Sequence, residues 1–459
     1  MIEALNVKNR NTSEQKLNIL TLNAEIGGGG ANQIALNLSN SLQKKGHYTK
    51  IITRESNFSC ENIRLINNDE YRNRSFRLFK KLGQISLNKN YSLLPNFFQF
   101  LSEVSEPRRL FRNAMGREDF DFPGTKHLLD IAGFEPDLIH AHNLHSDFFD
   151  LRELPYYSNK FPFFLTLHDC WTFTGHCCHF FDCERWKKNC GKCPHLDIPI
   201  NLERDGTRGN LALKRKLYSN SKIHIATPSK WLANHVTQSI LSPAIRSITV
   251  IPNGVDQNIF TPAEKIKARK ELNIPEQDFV ISFSCNSPSK NPWKNYGLIE
   301  KIVQILANSP KFKNITFLIM GEKGEPKSYN HIRLKKLGWL QEKQKVAIVY
   351  QASDIYLHPS NADTYPNVIL EAMSCGTPVF ASNVGGIPEQ ITDQTEGRIL
   401  PNQAETFASA IKEIIIDDEK CNNFAKQSLS KARKLFNEFD MISKYHDWFM
   451  QGISDFSKN

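Results

Sequence analysis

The sequence lacks any uninterrupted apolar stretch approaching the ~18 residues that a membrane span needs. Its first residues, MIEALNVKNRNTSEQK, mix acids and bases and lack the charged-then-apolar order of a secretory leader. These two absences predict a cytoplasmic protein, free or resting peripherally on the inner face of the membrane. Low-complexity tracts and internal repeats are also missing. With 40% hydrophobic and 23% charged residues, the chain is neither collagenous nor disordered. Its 459 residues make two large domains or, at roughly 150 residues each, about three nominal ones.

Negative charge is the scarcer sign: 48 Asp+Glu against 58 Lys+Arg, a net +10. Such a balance favours anionic partners. No nucleic-acid-binding motif accompanies it, so nucleic acid is not expected among them. A net +8 falls between Tyr71 and Arg117, where seven Arg and three Lys meet only Glu103 and Glu106. The same stretch carries Phe76, Phe79, Tyr91, Phe97, Phe98, Phe100 and Phe111. Basic and aromatic residues on helices suit contact with an anionic membrane or acceptor. The plainer reading is a solvated amphipathic helix with its Phe residues turned to the core.

A disulfide framework is missing too, since a secreted scaffold would be short and would spread its cysteines. Of ten cysteines, five (Cys177, Cys178, Cys183, Cys190 and Cys193) fall within seventeen residues. Cys190-x2-Cys193 is a knuckle half-site, and Cys183 with Cys178 or Cys177 completes a tetrahedral thiolate set. The expected ligands are Cys178, Cys183, Cys190 and Cys193, with His176, His179 and His195 as alternatives. Four protein ligands make a closed, structural zinc site in an insert spanning 176–195. Reduced buried thiols and a disulfide are the competing readings.

What is present is an alternation of short apolar runs with longer amphipathic stretches, which predicts an α/β fold with doubly wound parallel sheets. Strands are expected at Leu17–Leu22, Tyr48–Thr53, Asp137–His140, Phe163–Leu167, Ile223–Ala226 and Ser247–Ile251. After PNGVDQNIFTP, a hinge-like loop, the pattern restarts with strands at Phe279–Ser284, Ile315–Met320, Val346–Val349, Ile355–His358 and Pro378–Ala381. Two such units make a cleft, with ligands at the carboxyl ends of the strands. Gly28-Gly-Gly30-Ala-Asn-Gln33 sits between the first strand and the first helix but lacks the third glycine of a dinucleotide fingerprint. Its role is instead to let the main-chain N–H groups of Gly28 and Gly29 approach a donor phosphate or an acceptor.

The most specific stretch runs from Ser360 to Val379. Pro366 opens a helix that Gly376 closes. The N–H groups of Asn367 and Val368 can hold a phosphate at the positive helix terminus. Glu371, one turn in, can accept both hydroxyls of a ribose, and Asp363 can reach a sugar hydroxyl beyond the phosphate. Phosphate, diol and second carboxylate describe a sugar nucleotide.

Acidic-x7-Glu, then Cys375-Gly-Thr-Pro-Val379 and Val384-Gly-Gly-Ile-Pro-Glu389, resembles glycosyltransferase family 4. Val250-Ile-Pro-Asn-Gly-Val-Asp256, Pro359-Ser360 and Gly27–Gly30 extend the resemblance over most of the chain. His168-Asp-Cys-Trp171 and Gly175-His-Cys177, with the cysteines that follow, are similar to a subgroup of bacterial exopolysaccharide and colanic-acid type. The resemblance implies a retaining enzyme of GT-B architecture: two Rossmann-like domains facing a cleft, with a C-terminal helix returning to the first. The boundaries so implied are 17–243 for the acceptor side, 244–431 for the nucleotide-sugar side and 432–459 for the returning helix.

It further implies a UDP- or GDP-linked sugar donor, a lipid-linked oligosaccharide acceptor in cell-surface polysaccharide synthesis, and no cofactor for catalysis. Lys294 matches the lysine that contacts the donor diphosphate, with Lys290 standing in for an arginine the family usually places nearby. His168 matches a histidine that contacts the donor sugar. Asp363 replaces the family's Glu and is one methylene shorter, which changes its reach to the sugar. Rival readings are a GT-B sugar-nucleotide 2-epimerase, a non-catalytic glycan-binding or assembly protein, and a zinc hydrolase.

Overall fold

The computed structural model describes residues 16–458, apart from 59, 90, 199, 286–290 and 310–312. Lys290 therefore lies outside the described residues. Two seven-stranded sheets form the core of the molecule. The first runs in the order Ile63–Leu65, Tyr48–Thr53, Asn18–Leu22, Leu138–Ala141, Phe163–Thr166, Ile223–Thr227 and Ile245–Val250, every pair parallel. Its central strands, such as Asn18–Leu22 and Phe163–Thr166, are buried and mostly apolar, as expected where helices cover both faces of a parallel sheet. The second runs Lys327–Tyr329, Ile332–Gly338, Ile315–Met320, Phe279–Ser284, Ile355–His358, Val379–Ser382 and Gly397–Leu400, parallel but for its first edge strand.

Each sheet has the doubly wound order, and each reverses direction beside its first strand. The first reverses between Asn18–Leu22 and Leu138–Ala141, the second between Phe279–Ser284 and Ile355–His358. Crevices form where loops leave neighbouring strands in opposite directions. The two domains are the Rossmann-like pair of a GT-B fold.

The strand expectations change in two respects. Val346–Val349 is not a strand but part of the helix Lys343–Ala352, which buries Ala347, Val349 and Tyr350. A short apolar run cannot by itself separate a buried strand from a buried helix. The sheet strands that sequence reading missed are Ile63–Leu65, Lys327–Tyr329, Ile332–Gly338 and Gly397–Leu400, and in Ile332–Gly338 lysines and an arginine break the apolar run.

The strand Ile245–Val250 pairs with Ile223–Thr227 and completes the first sheet. The first domain thus reaches past 243 to the loop at 251, and the boundary at 243/244 is too early. Residue 432 likewise falls inside the helix Asp418–Leu435, and the returning helix is Glu438–Phe456. That helix lays Met441, Ile442, Tyr445, Trp448 and Phe449 against Leu17, Ile19, Leu38, Leu138 and Phe164 of the first domain. Gly452 is required there, because a Cβ would meet the Phe164 ring at 2.5 Å.

The chain crosses between domains twice, and the crossings touch. Val255 N donates to Phe436 O at 2.9 Å, and Glu438 N donates to Val255 O at 3.2 Å.

Candidate active site

The glycine loop comes first because it sets the floor of the cleft. Gly28 and Gly29 adopt φ of 68° and 70°, left-handed values that glycine takes without strain. Gly29 then caps the helix Gly30–Lys44. Nothing approaches a Cβ built on Gly28, so this stretch of backbone faces open space. Across the cleft, Asn367 Nδ2 donates to Gly30 O at 3.3 Å, while Asn367 Oδ1 accepts from Asn253 Nδ2 at 2.8 Å. The two helix N-termini therefore meet through one amide side chain.

The helix Asn367–Ser374 is anchored by Ile369, Leu370, Ala372 and Met373 in the core. Pro366 stands at its N-cap rather than inside its first turn, which leaves Asn367 and Val368 at the positive end as expected from the sequence. Glu371 is one turn further, its Oε2 accepting from Tyr350 OH at 3.3 Å. Burial pushes its carboxyl up to about 7.

Asp363 and Lys294 are brought together directly: Lys294 Nζ donates to Asp363 Oδ2. His358 Nε2 lies 3.0 Å from the same oxygen, and also 3.0 Å from Ser360 Oγ. Burial alone would raise the Asp363 carboxyl. The Lys294 charge and the His358 hydrogen bond outweigh it and hold the group well below the usual carboxylate range. His358, buried and beside the Lys294 charge, is held neutral, its pKa lowered. Sequence reading missed His358, although a polar residue closing a buried strand five positions before a candidate acid was a usable signal.

The Gly385-Gly386 pair explains itself here, since a Cβ on either would collide with the carbonyl oxygen of Asp363 or Thr364. Only glycine lets the two loops pass so closely.

On the facing domain, His168 follows two residues after the strand Phe163–Thr166 and its Nε2 lies 2.9 Å from His142 Nδ1, the rings stacked. Burial depresses its pKa to about 4, so it acts as a neutral ring. Thr364 Oγ1 donates to its main-chain carbonyl at 2.6 Å. Glu389 adds a second bridge between domains, accepting from the N–H groups of Lys230 and Trp231 at 2.8 and 2.7 Å. Those N–H groups open a helix, where an acidic side chain is favoured.

A cavity of about 580 Å³ lies in the first domain, walled by Arg109, Arg117, Glu118, His145, Trp171 and Asn201 among others. Behind it Lys214 is buried 3.6 Å from Glu118 Oε2 and lies 3.8 Å over the Trp171 ring.

The expected metal ligands divide. Cys183, Cys190 and Cys193 wall one small pocket with His176, Cys177 and His195. Cys178 does not join them. Its thiol gathers with His145 and Asp169, the one set of three such donor atoms within 4.8 Å of one another among the described residues. Neighbouring side chains in an extended segment point to opposite sides, so it is Cys177 that faces the pocket. His179 is elsewhere, stacked on Trp231.

Residues 28–258 match Glycosyltransferase Family 4, and residues 264–431 match the Glycosyl transferases group 1 description. The chain belongs to glycosyltransferase family 4. A D-inositol 3-phosphate glycosyltransferase of Segniliparus rotundus is 28% identical over 51% of this chain and 52% of its own length. The putative colanic acid biosynthesis glycosyl transferase WcaC of Escherichia coli is 25% identical over 54% of this chain and 60% of its own. The chain thus spans between half and two thirds of these two relatives.

Solved structures share the whole fold. Sucrose-phosphate synthase from Thermosynechococcus elongatus superposes with a TM-score of 0.63 at 18% identity, covering 96% of this chain and all of that one. Anabaena HepE in complex with UDP-glucose gives 0.58 at 17%, covering 94% and 98%.

Proposed function

We propose that this chain is a retaining glycosyltransferase that moves a sugar from a UDP- or GDP-linked donor to a growing cell-surface polysaccharide. The observation that carries this reading is the convergence across one cleft of Lys294, Asp363, Glu371 and the Asn367 helix terminus with His168 and the Gly28–Gly29 backbone. The ribose hydroxyls donate to Glu371. The diphosphate lies against the N–H groups of Asn367 and Val368 and draws Lys294 Nζ from Asp363, and the lysine stabilises charge as it develops on the leaving oxygen. The freed Asp363 carboxylate then accepts from a sugar hydroxyl, and neutral His168 orients the ring from the opposite side.

The sugar C1–O bond to the phosphate breaks as the acceptor oxygen attaches to C1 on the same face. The acceptor proton passes to the leaving phosphate oxygen, so no separate base is needed. The acceptor glycan occupies the first-domain cavity, where Trp171 and Phe120 form part of the apolar wall and Arg117, Glu118 and Asn201 supply polar groups.

The acceptor is lipid-linked, and the enzyme meets it at the cytoplasmic face of the membrane. Among the described residues no helix is long and apolar enough to cross a bilayer. The helices Arg74–Asn88, Leu94–Val104 and Pro107–Ala114 instead present a surface for one. Leu93, Phe97, Phe100 and Phe111 are 78%, 54%, 60% and 67% exposed. Arg74, Arg77, Lys81, Lys89 and Arg108 of the same stretch are exposed as well. Apolar anchors accompanied by basic residues suit an anionic bilayer surface. The last two helices also line the acceptor cavity through Glu103, Arg109 and Asn113.

Release of nucleoside diphosphate from a panel of UDP- and GDP-sugars, with lipid-linked oligosaccharide as acceptor, tests the reading. Acceptor-dependent release with retained configuration supports it. Acceptor-independent release with epimerised free sugar would replace it with the epimerase, and no release from any donor would leave only a binding protein.

A further inference from the structure

One pocket has no part in sugar transfer: the small one walled by His176, Cys177, Cys183, Cys190, Cys193 and His195. Half of its twelve lining residues carry soft metal-ligating atoms, a composition that simple packing does not call for.

The backbone there has the form of a metal knuckle. Gly191 and Lys192, at φ of 117° and 49°, turn the chain sharply between Cys190 and Cys193, and both thiols face the pocket. Main-chain N–H groups point at the sulfurs, that of Gly175 at Cys190 and that of His195 at Cys193. Asp205 Oδ2 accepts from Cys193 N at 2.8 Å and pins the second cysteine's loop.

His176 is prepared in the same sense. Its Nδ1 lies 2.8 Å from Ile200 O, an oxygen that only accepts, so Nδ1 carries the proton. Nε2 then presents its lone pair inward, 3.3 Å from Cys193 Sγ. The imidazole orientation is that of a metal ligand with its outer hydrogen bond already made. The neighbouring His195 leaves its Nε2 buried and without a partner.

We infer that this pocket holds one zinc ion through Cys183, Cys190, Cys193 and His176 Nε2. Three thiolates and one imidazole complete tetrahedral coordination with no open position, so the ion is structural. Cys177 walls the same pocket, and His176 takes the fourth position because its Nε2 already stands 3.3 Å from Cys193 Sγ. The His145, Asp169 and Cys178 group gathers more tightly, but its carboxylate is already used, Oδ2 by His145 at 2.9 Å and Oδ1 by Trp171 N at 2.9 Å. In the cysteine pocket the donors stand wider apart, and the ion draws the thiols inward as they lose their protons. His176 ends the segment that begins with His168, so the ion fixes one end of the loop whose other end lines the sugar cleft.

The test uses the full chain purified without chelator. Metal analysis should find about one zinc per chain, and cobalt exchanged into the site should show thiolate charge-transfer and tetrahedral ligand-field bands. Cys190→Ser, Cys193→Ser and His176→Ala should each lose most of the zinc, while Cys178→Ser, Cys177→Ser and Cys60→Ser keep it. Should a ligand variant fail to fold, chelator titration of the unaltered chain replaces it, with zinc release and a falling thermal transition expected together. Zinc-free protein with no cobalt bands would overturn the site, as would an intact mass showing these cysteines paired as disulfides. Loss of zinc on Cys177→Ser with retention on His176→Ala would overturn the ligand set.

Discussion

Thr364, on the nucleotide-sugar domain, donates a 2.6 Å hydrogen bond to the main-chain carbonyl of His168 on the acceptor domain. Thr364 adjoins Asp363, so this bond ties the two halves of the cleft at the point where the sugar would lie. Thr364→Val keeps the shape and removes the donor. A hydrogen bond of this kind contributes about 1 kcal/mol, so kcat/KM should fall by roughly fivefold with little change in melting temperature. An unchanged kcat/KM would mean that the contact does not govern closure.

Lys294 and Asp363 neutralise one another until a donor arrives. Lys294→Ala should lower donor turnover by about 100-fold or more, because it removes the cation paired with Asp363 at the proposed diphosphate position. Asp363→Asn leaves the lysine free for phosphate, so donor KM should hold or fall while kcat collapses. Steady-state nucleoside diphosphate release separates the two patterns. A parallel rise in KM for both variants would argue against the exchange of partners.

Glu371 makes donor binding depend on pH. Its carboxyl titrates near 7 in the folded chain and accepts ribose hydroxyls best when ionised. Donor KM should therefore fall as pH rises from 6 to 8, and Glu371→Gln should flatten that profile. Stability runs the opposite way. Between the ordinary Glu value of 4.5 and about 7 the unfolded chain binds fewer protons than the native one, so stability declines as pH rises through that window. Melting curves at pH 8 should show Glu371→Gln more stable than the unaltered protein, and the gap should close toward pH 4.5.

Membrane contact should require both the apolar and the basic parts of the Arg74–Ala114 surface. Vesicles carrying anionic lipid should bind the protein at low salt and release it at high salt, since each basic residue near such a surface is worth about 1 kcal/mol. Replacing Arg74, Arg77, Lys81 and Lys89 with Gln should weaken binding, as should Phe97, Phe100 and Phe111 to Ser. Arg72 is unsuitable as a probe because it is buried against Glu106 at 2.8 Å. Binding indifferent to salt and to both sets of changes would refute this contact.

The acidic helix motif was legible in the sequence because its parts are consecutive: the acids, the helix start and the closing glycine lie within one short stretch. The strands were legible wherever burial on both faces made them uniformly apolar, as at Phe279–Ser284. Ile332–Gly338 was hidden because its lysines reach outward, Lys335 Nζ to Leu272 O at 2.5 Å. His358, by contrast, lies five positions before Asp363 and was there to be read. The partners of His168 were hidden for another reason. His142 and Thr364 meet His168 across 26 and 196 positions of chain, and no local pattern records such meetings. The same is true of Cys177 and Cys178, which are adjacent in sequence but face different neighbours.

The paired crossings at Val255 and Phe436–Glu438 set how the molecule can move. Two strands of chain fastened side by side behave like two pins on one door edge: they permit swing about a shared line and resist twist or sliding. A small rotation there opens the far rim of the cleft widely while leaving Asn253 and Asn367, near the line, almost in register. Donor and acceptor would then enter and leave through one mouth, and each reclosure would return the same faces to each other.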